Sequence, residues 1–123
     1  MDFMEKLVNF LMVGLGGALG SMLRYGVTLL FSALNWSGNL ATLAVNVAGS
    51  FAIGYLTGSV KPGTLLLLLT VGLCGGFTTF STFSLQSVRL FQDGKIGAAA
   101  LYMAGTLLLC VLFAALGWWL ADR

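Results

Sequence analysis

With 123 residues, 59% of them hydrophobic and only 8% charged, the chain is too apolar for a soluble domain of its size, where about 25% charged is usual. A net charge of +2 with no basic cluster argues against a nucleic-acid partner, and the absence of histidine removes imidazole metal sites and the usual proton shuttle. Apolar runs of the roughly 18–20 residues that cross a bilayer follow one another, so the expectation is an integral membrane protein with one domain over residues 1–123.

Asp2 and Glu5 do not suit the basic start of a cleaved signal, and the apolar run after Lys6 is too long for one. A first span is expected from about Leu7 to Phe31 and a second from about Leu40 to Val60. Lys61-Pro62-Gly63 then marks a turn. A third span runs from about Thr64 to Leu90 and is closed by Asp93-Gly94-Lys95. The fourth, about Ile96 to Leu120, ends on Trp118 and Trp119, which suit the membrane–water interface. Short connections make consecutive helices antiparallel neighbours, and no β-barrel alternation is present. The fold class is all-α.

Gly16 and Gly20 on the first span, and Ser50, Gly54 and Gly58 on the second, recur at four-residue spacing. Small residues let helix backbones approach closely in lipid, so ordinary packing within one subunit accounts for most of them. Cys74 and Cys110 both fall inside apolar runs and read as packing residues rather than a disulfide.

Four spans put both termini and the loop after span two on one side, with Lys6, Lys61 and Arg123. The other side carries Arg24, Arg89 and Lys95. The balance leaves the positive-inside rule nothing to act on. Insertion both ways up is expected, with the two orientations paired as an antiparallel homodimer about an axis in the membrane plane. The other reading is that the placement of Arg24 or Arg89 still decides a single orientation.

No Asp or Glu lies within a span, whereas proton-coupled and cation transporters usually rely on buried carboxylates. The polar groups at depth are neutral: Thr42, Asn46 and Ser50 on span two, a hydroxyl cluster on span three, and Tyr102 and Thr106 on span four. Neutral donors suit an anion better than a cation. Asn46 reads either as an interhelical hydrogen bond, about 0.6 kcal/mol on average in a membrane, or as an anion donor whose oxygen a neighbour holds.

The third span contains Gly75–Phe83, GGFTTFSTF. Its phenylalanines repeat every three residues, which on a helix gives a slanted phenyl stripe beside a hydroxyl stripe. Ring edges carry partial positive charge and can face an anion without a buried cation. For any one ring, packing is the ordinary reading, and for any one hydroxyl, a bond back to its own helix. Beside these repeats, Gly75-Gly76 suggests a mid-membrane break. Freed carbonyls are tolerated there only where they are buried or bind something, and unwound carbonyls are a known way to hold Na+.

These residues resemble the Fluc fluoride channels, also called CrcB proteins. The likeness covers essentially the whole chain and rests on GGFTTFSTF, with Gly20-Ser21-Met22-Leu23-Arg24-Tyr25 and Asn46-Val47-Ala48-Gly49 in support. The resemblance implies a dual-topology, antiparallel homodimer in the cytoplasmic (inner) membrane. It implies two fluoride pores and passive export of cytoplasmic fluoride, with no enzymatic step. It further implies Phe80 and Phe83 as pore rings, Asn46 as a pore donor, and Ser81, Thr82, Tyr102 and Thr106 as hydroxyls along the path. Arg24 would sit at a vestibule, and the main-chain carbonyls of Gly75 and Thr78 would hold a central structural Na+. Two rivals differ in class: a small multidrug transporter, which would need the intramembrane Glu this chain lacks, and a structural membrane subunit whose polar residues only pack.

Overall fold

Two capping side chains set the first two helices. In the computed structural model, which describes residues 1–122, Asp2 accepts a hydrogen bond from the Glu5 amide at 2.8 Å and starts α1, Phe3–Ala33. Ser37 accepts from the Leu40 amide and starts α2, Gly38–Ser59. Each side-chain oxygen satisfies an amide that has no partner within its own helix. Between them the chain reverses at Asn35, whose φ of 59° lies in the left-handed region that asparagine tolerates. Trp36 then packs edge-on against Phe31 with ring centroids 5.2 Å apart.

The third span, Thr64–Gln92, is 29 residues long and is interrupted at its centre. Its first half, α3 (residues 64–77), opens as an α-helix at Thr64–Leu67, widens to π-helical turns over Leu68–Cys74, and closes with an α-helical turn at Gly75–Phe77. Thr78 and Thr79 are extended, and α4, Phe80–Gln92, completes the crossing. The last helix is α5, Ile96–Ala121, with Trp118 and Trp119 in its final turn. All four expected spans are long and apolar enough to cross a membrane. At 31 residues, or about 46 Å at 1.5 Å per residue, α1 starts four residues earlier than the sequence suggests. Arg123, counted in the charge balance, lies outside the described residues.

The third span is interrupted as expected, but the break is displaced along the chain. Gly75 is right-handed helical (φ −62°, ψ −39°), and the extended residues are Thr78 and Thr79. The reason lies in packing and in polar partners. A Cβ on Gly76 would strike the Gly17 backbone, so this glycine serves close approach rather than an unusual dihedral. Thr79, by contrast, brings a hydroxyl that caps α4 by accepting from the Thr82 amide.

The same close approach organises the bundle. A Cβ on Gly16 or Gly20 would run into the Leu68 or Leu73 carbonyl, so α1 and α3 lie backbone to backbone. On the other pair, Gly54 faces the Ala114 carbonyl and Gly117 faces the Phe51 carbonyl, which locks α2 to α5. The glycines of both expected small-residue stripes, Gly16 and Gly20 and then Gly54 and Gly58, are therefore spent within one subunit. Packing of this kind replaces the hydrophobic driving force that lipid does not supply.

Candidate functional site: the cavity at the helix break

Breaking a helix in a membrane strands its backbone groups, and the partners found for them define the site. Asn46, on α2 and only 8% exposed, grips the break from both sides. Its Oδ1 accepts from the Thr79 amide at 2.8 Å, and its Nδ2 donates to the Thr79 carbonyl at 3.0 Å. The side chain thus acts as a missing strand for one extended residue. An amide nitrogen carries two N–H groups, so one remains beyond the Thr79 bond. With its amide turned to Asn46, Thr79 no longer closes a turn on the Gly75 carbonyl four residues back.

Arg24 is the second clamp. Its Nε donates to the Gly76 carbonyl at 3.1 Å, across 52 residues of sequence. A guanidinium has five N–H donors, so the charge sits at the break with most of its hydrogen-bonding capacity in hand. The same side chain expected at a vestibule is thereby a support of the broken span.

The Thr79 hydroxyl gathers its neighbours. It donates to the Thr82 hydroxyl at 3.2 Å and shares a 3.3 Å contact with the Ser81 hydroxyl. Ser81 and Thr82 therefore knit the cap of α4. Most other hydroxyls behave in the ordinary helical way: Thr42, Thr70, Thr78, Ser84 and Ser87 each donate to the carbonyl four residues earlier.

Thr106 departs from that pattern. It is 4% exposed, and its Oγ1 is the buried side-chain polar atom without a partner among the described residues. A buried, unpaired hydroxyl costs about 1–3 kcal/mol, so one in a folded chain marks a place where something else supplies the partner. Thr106 lines a cavity of about 240 Å³ that Asn46, Gly75, Thr78, Thr79, Phe80 and Phe83 also line, together with Ser50, Cys74 and Cys110. That is room for several water molecules or a hydrated small ion.

Rings form the wall beside it. Phe80 and Phe83 lie 5.4 Å apart, and Phe83 lies 5.3 Å from Tyr102, giving a ladder of tilted rings. Phe83 is 4% exposed, whereas Phe80 is 69% exposed in the single chain. The Tyr102 hydroxyl donates to Gln86 Oε1 at 2.7 Å.

Of the residues singled out in the sequence, the cavity brings together Asn46, Phe80, Phe83, Thr106, Gly75 and Thr78. Tyr102 stands next to it through Phe83, while Ser81, Thr82 and Arg24 support the break. Gln86 is not among them. A lone glutamine on an amphipathic helix carries no signal until α5 is placed against α4. The sequence marks Thr79 only as one hydroxyl in a repeat, though it is the residue at which the helix breaks.

Residues 11–118 match the family model described as CrcB-like protein, Camphor Resistance (CrcB). The chain is 44% identical to a protein of Ruminiclostridium cellulolyticum named fluoride-specific ion channel FluC, over 97% of this chain and 96% of that protein. Proteins with the same name from Chlorobium phaeobacteroides and Thermus thermophilus are 41% and 45% identical. The first alignment covers 85% of both chains, and the second covers 89% of this chain and 92% of the relative. With four spanning helices and channel relatives, the chain is a multi-pass integral membrane protein.

Proposed function

The chain belongs to the CrcB family, and from that premise we propose that it is a fluoride-selective channel that lets cytoplasmic fluoride leave passively. The observation that carries the reading is the cavity at the break. It offers the unpaired Thr106 hydroxyl, the spare Asn46 N–H and the Phe80–Phe83 ring pair, and its lining contains no carboxylate. Fluoride is small and strongly hydrated, so it needs several close donors to replace its water. A narrow route that supplies amide, hydroxyl and ring-edge hydrogens favours it over chloride, on the same principles as other filters. The full path takes in Asn46, Phe80, Phe83, Ser81, Thr82, Tyr102 and Thr106, with Arg24 drawing anions toward its mouth.

The working unit is an antiparallel pair of copies in the inner membrane, with two pores. The 69% exposure of Phe80 supports this, since a pore ring bare on one subunit is completed by another. A break at the centre of the span would meet its mate across the two-fold axis. The Gly75 and Thr78 carbonyls of two copies then form an oxygen cage suited to a structural Na+. Both carbonyls fit that role, because the amides that would close their helical turns are engaged elsewhere. The Thr79 amide bonds to Asn46, and the Thr82 amide bonds to the Thr79 hydroxyl.

Purified protein in liposomes loaded with fluoride is expected to release it down its gradient and to retain chloride. Equal passage of both halides, or of neither, overturns the proposal. Proton-coupled uptake of a cationic drug would place the chain with the multidrug transporters instead. Orientation has its own test. Two lysines added to the Lys61-Pro62-Gly63 turn are expected to bias insertion and cut flux at least tenfold, with recovery when an oppositely biased copy is co-expressed. Full flux from a population held in one orientation overturns the antiparallel pair.

A further inference from the structure

Arg24 belongs at the pore mouth in the channel reading, yet its side chain is bonded to the backbone of the broken span. Its Nε donates to the Gly76 carbonyl at 3.1 Å. That carbonyl follows directly on the Gly75 carbonyl of the sodium cage, and Thr78, which brings the other cage oxygen, is two residues further on. A positive charge is therefore fixed beside oxygens that suit a cation.

Nothing at this depth offsets the charge. The carboxylates of the chain are Asp2, Glu5, Asp93 and Asp122, all at helix ends. None is paired with Arg24 among the described residues. The cage carbonyls are neutral dipoles, so an ion held by them faces the guanidinium unshielded by any anionic ligand. Coulomb repulsion grows in proportion to the charge of that ion. A divalent cation is thus opposed twice as strongly as a monovalent one at the same place. The Nε–H also occupies the Gly76 oxygen, and Ca²⁺ needs 6–8 oxygen ligands.

We propose that Arg24 is the charge filter of this cage, making it a site for a monovalent cation and turning divalent cations away. This rests on the Gly75 and Thr78 carbonyls forming the cage. In an antiparallel pair both copies bring their guanidinium to the same centre, which sharpens the discrimination.

Three substitutions separate the charge from the hydrogen bond. Glutamine carries Nε2 as many bonds from the backbone as arginine carries Nε. Arg24→Gln therefore keeps a donor to the Gly76 carbonyl and removes the charge. Arg24→Lys keeps the charge and moves the donor one atom outward. Arg24→Met removes both.

The readout is the melting temperature of the full-length protein in detergent, which rises with any ion that binds the folded state alone. The protein is prepared without sodium, with ionic strength held constant by N-methylglucamine chloride. The parent is expected to be stabilised by NaCl and not by CaCl₂. In Arg24→Gln the half-saturating sodium concentration is expected to fall about tenfold. Because the repulsion doubles with ion charge, the gain for calcium is the square of that for sodium, about 100-fold. CaCl₂ then stabilises the glutamine variant. Arg24→Met is expected to melt earlier than the parent yet to gain both cations in the same way, and Arg24→Lys to respond as the parent does.

Unchanged responses to both ions in Arg24→Gln and Arg24→Met overturn the filter. Equal gains for sodium and calcium also overturn it, since the effect is then one of space rather than charge. Stabilisation of Arg24→Lys by calcium does the same. A melting temperature that sodium moves in none of the four proteins is a different result. It removes the cage itself, and the filter with it.

Discussion

Asn46→Ala is expected to remove fluoride flux to the background of empty liposomes and to destabilise the protein by about 2–6 kcal/mol, the sum of two stranded backbone groups at about 1–3 kcal/mol each. Two hydrogen bonds disappear together, one on each side of Thr79. The larger cost is what remains: the amide and carbonyl of an extended residue, left facing a cavity without their partner. Asn46→Asp separates the structural part from the anion part. An aspartate oxygen still accepts from the Thr79 amide, but as a carboxylate it donates neither to the Thr79 carbonyl nor to a passing anion. The aspartate variant is therefore expected to melt at a higher temperature than the alanine variant and to be equally silent in fluoride release. Wild-type flux in Asn46→Asp would remove Asn46 as an anion donor and leave it as a clamp.

The clamp also shows where local signals in the chain run out. Four spans, the turn at Lys61-Pro62-Gly63 and the small-residue contacts of Gly16, Gly20 and Gly54 follow from hydropathy and spacing, because these are local signals. Asn46 stands out because an amide in a 22-residue apolar helix must find a partner. Which partner it finds depends on an element 33 residues away, and no pattern in the chain specifies that. The sequence points to a break at Gly75-Gly76, since glycine is the usual sign of irregular backbone. Gly76 instead answers the approach of α1, Gly75 stays helical, and the extended residues are the threonines that follow. The π-helical stretch Leu68–Cys74 reads as plain apolar helix, and nothing in LLTVGLC marks the wider turn. Within it Gly72 lies against the Val13 carbonyl, and the chain downstream is held by Arg24 and Asn46.

Phe80→Ile is expected to lower fluoride flux at least ~100-fold while leaving the melting temperature within a few degrees of the parent. Two facts set these opposite expectations. Phe80 is 69% exposed in the single chain, so its replacement by another large apolar residue forfeits little packing within the fold. Its ring nevertheless borders the cavity and lies 5.4 Å from Phe83, tilted 53° to it. Isoleucine preserves bulk and apolarity but has no quadrupole, and its hydrogens carry little of the positive charge found at a ring edge. A loss of about 100-fold corresponds to about 2.7 kcal/mol of barrier, more than the ~0.5–1.5 kcal/mol typical of a ring–ring contact. An effect of that size therefore cannot come from lost contact with Phe83 alone. Phe83→Ile offers the contrast, since that ring is 4% exposed and also packs on Tyr102 at 5.3 Å. It is expected to lose both flux and stability. If Phe80→Ile conducts like the parent, ring edges play no part in passage. The route would then depend on Asn46 and the hydroxyls alone. If instead Phe80→Ile melts as early as Phe83→Ile, the exposed ring has a structural partner, which in an antiparallel pair would be the second copy.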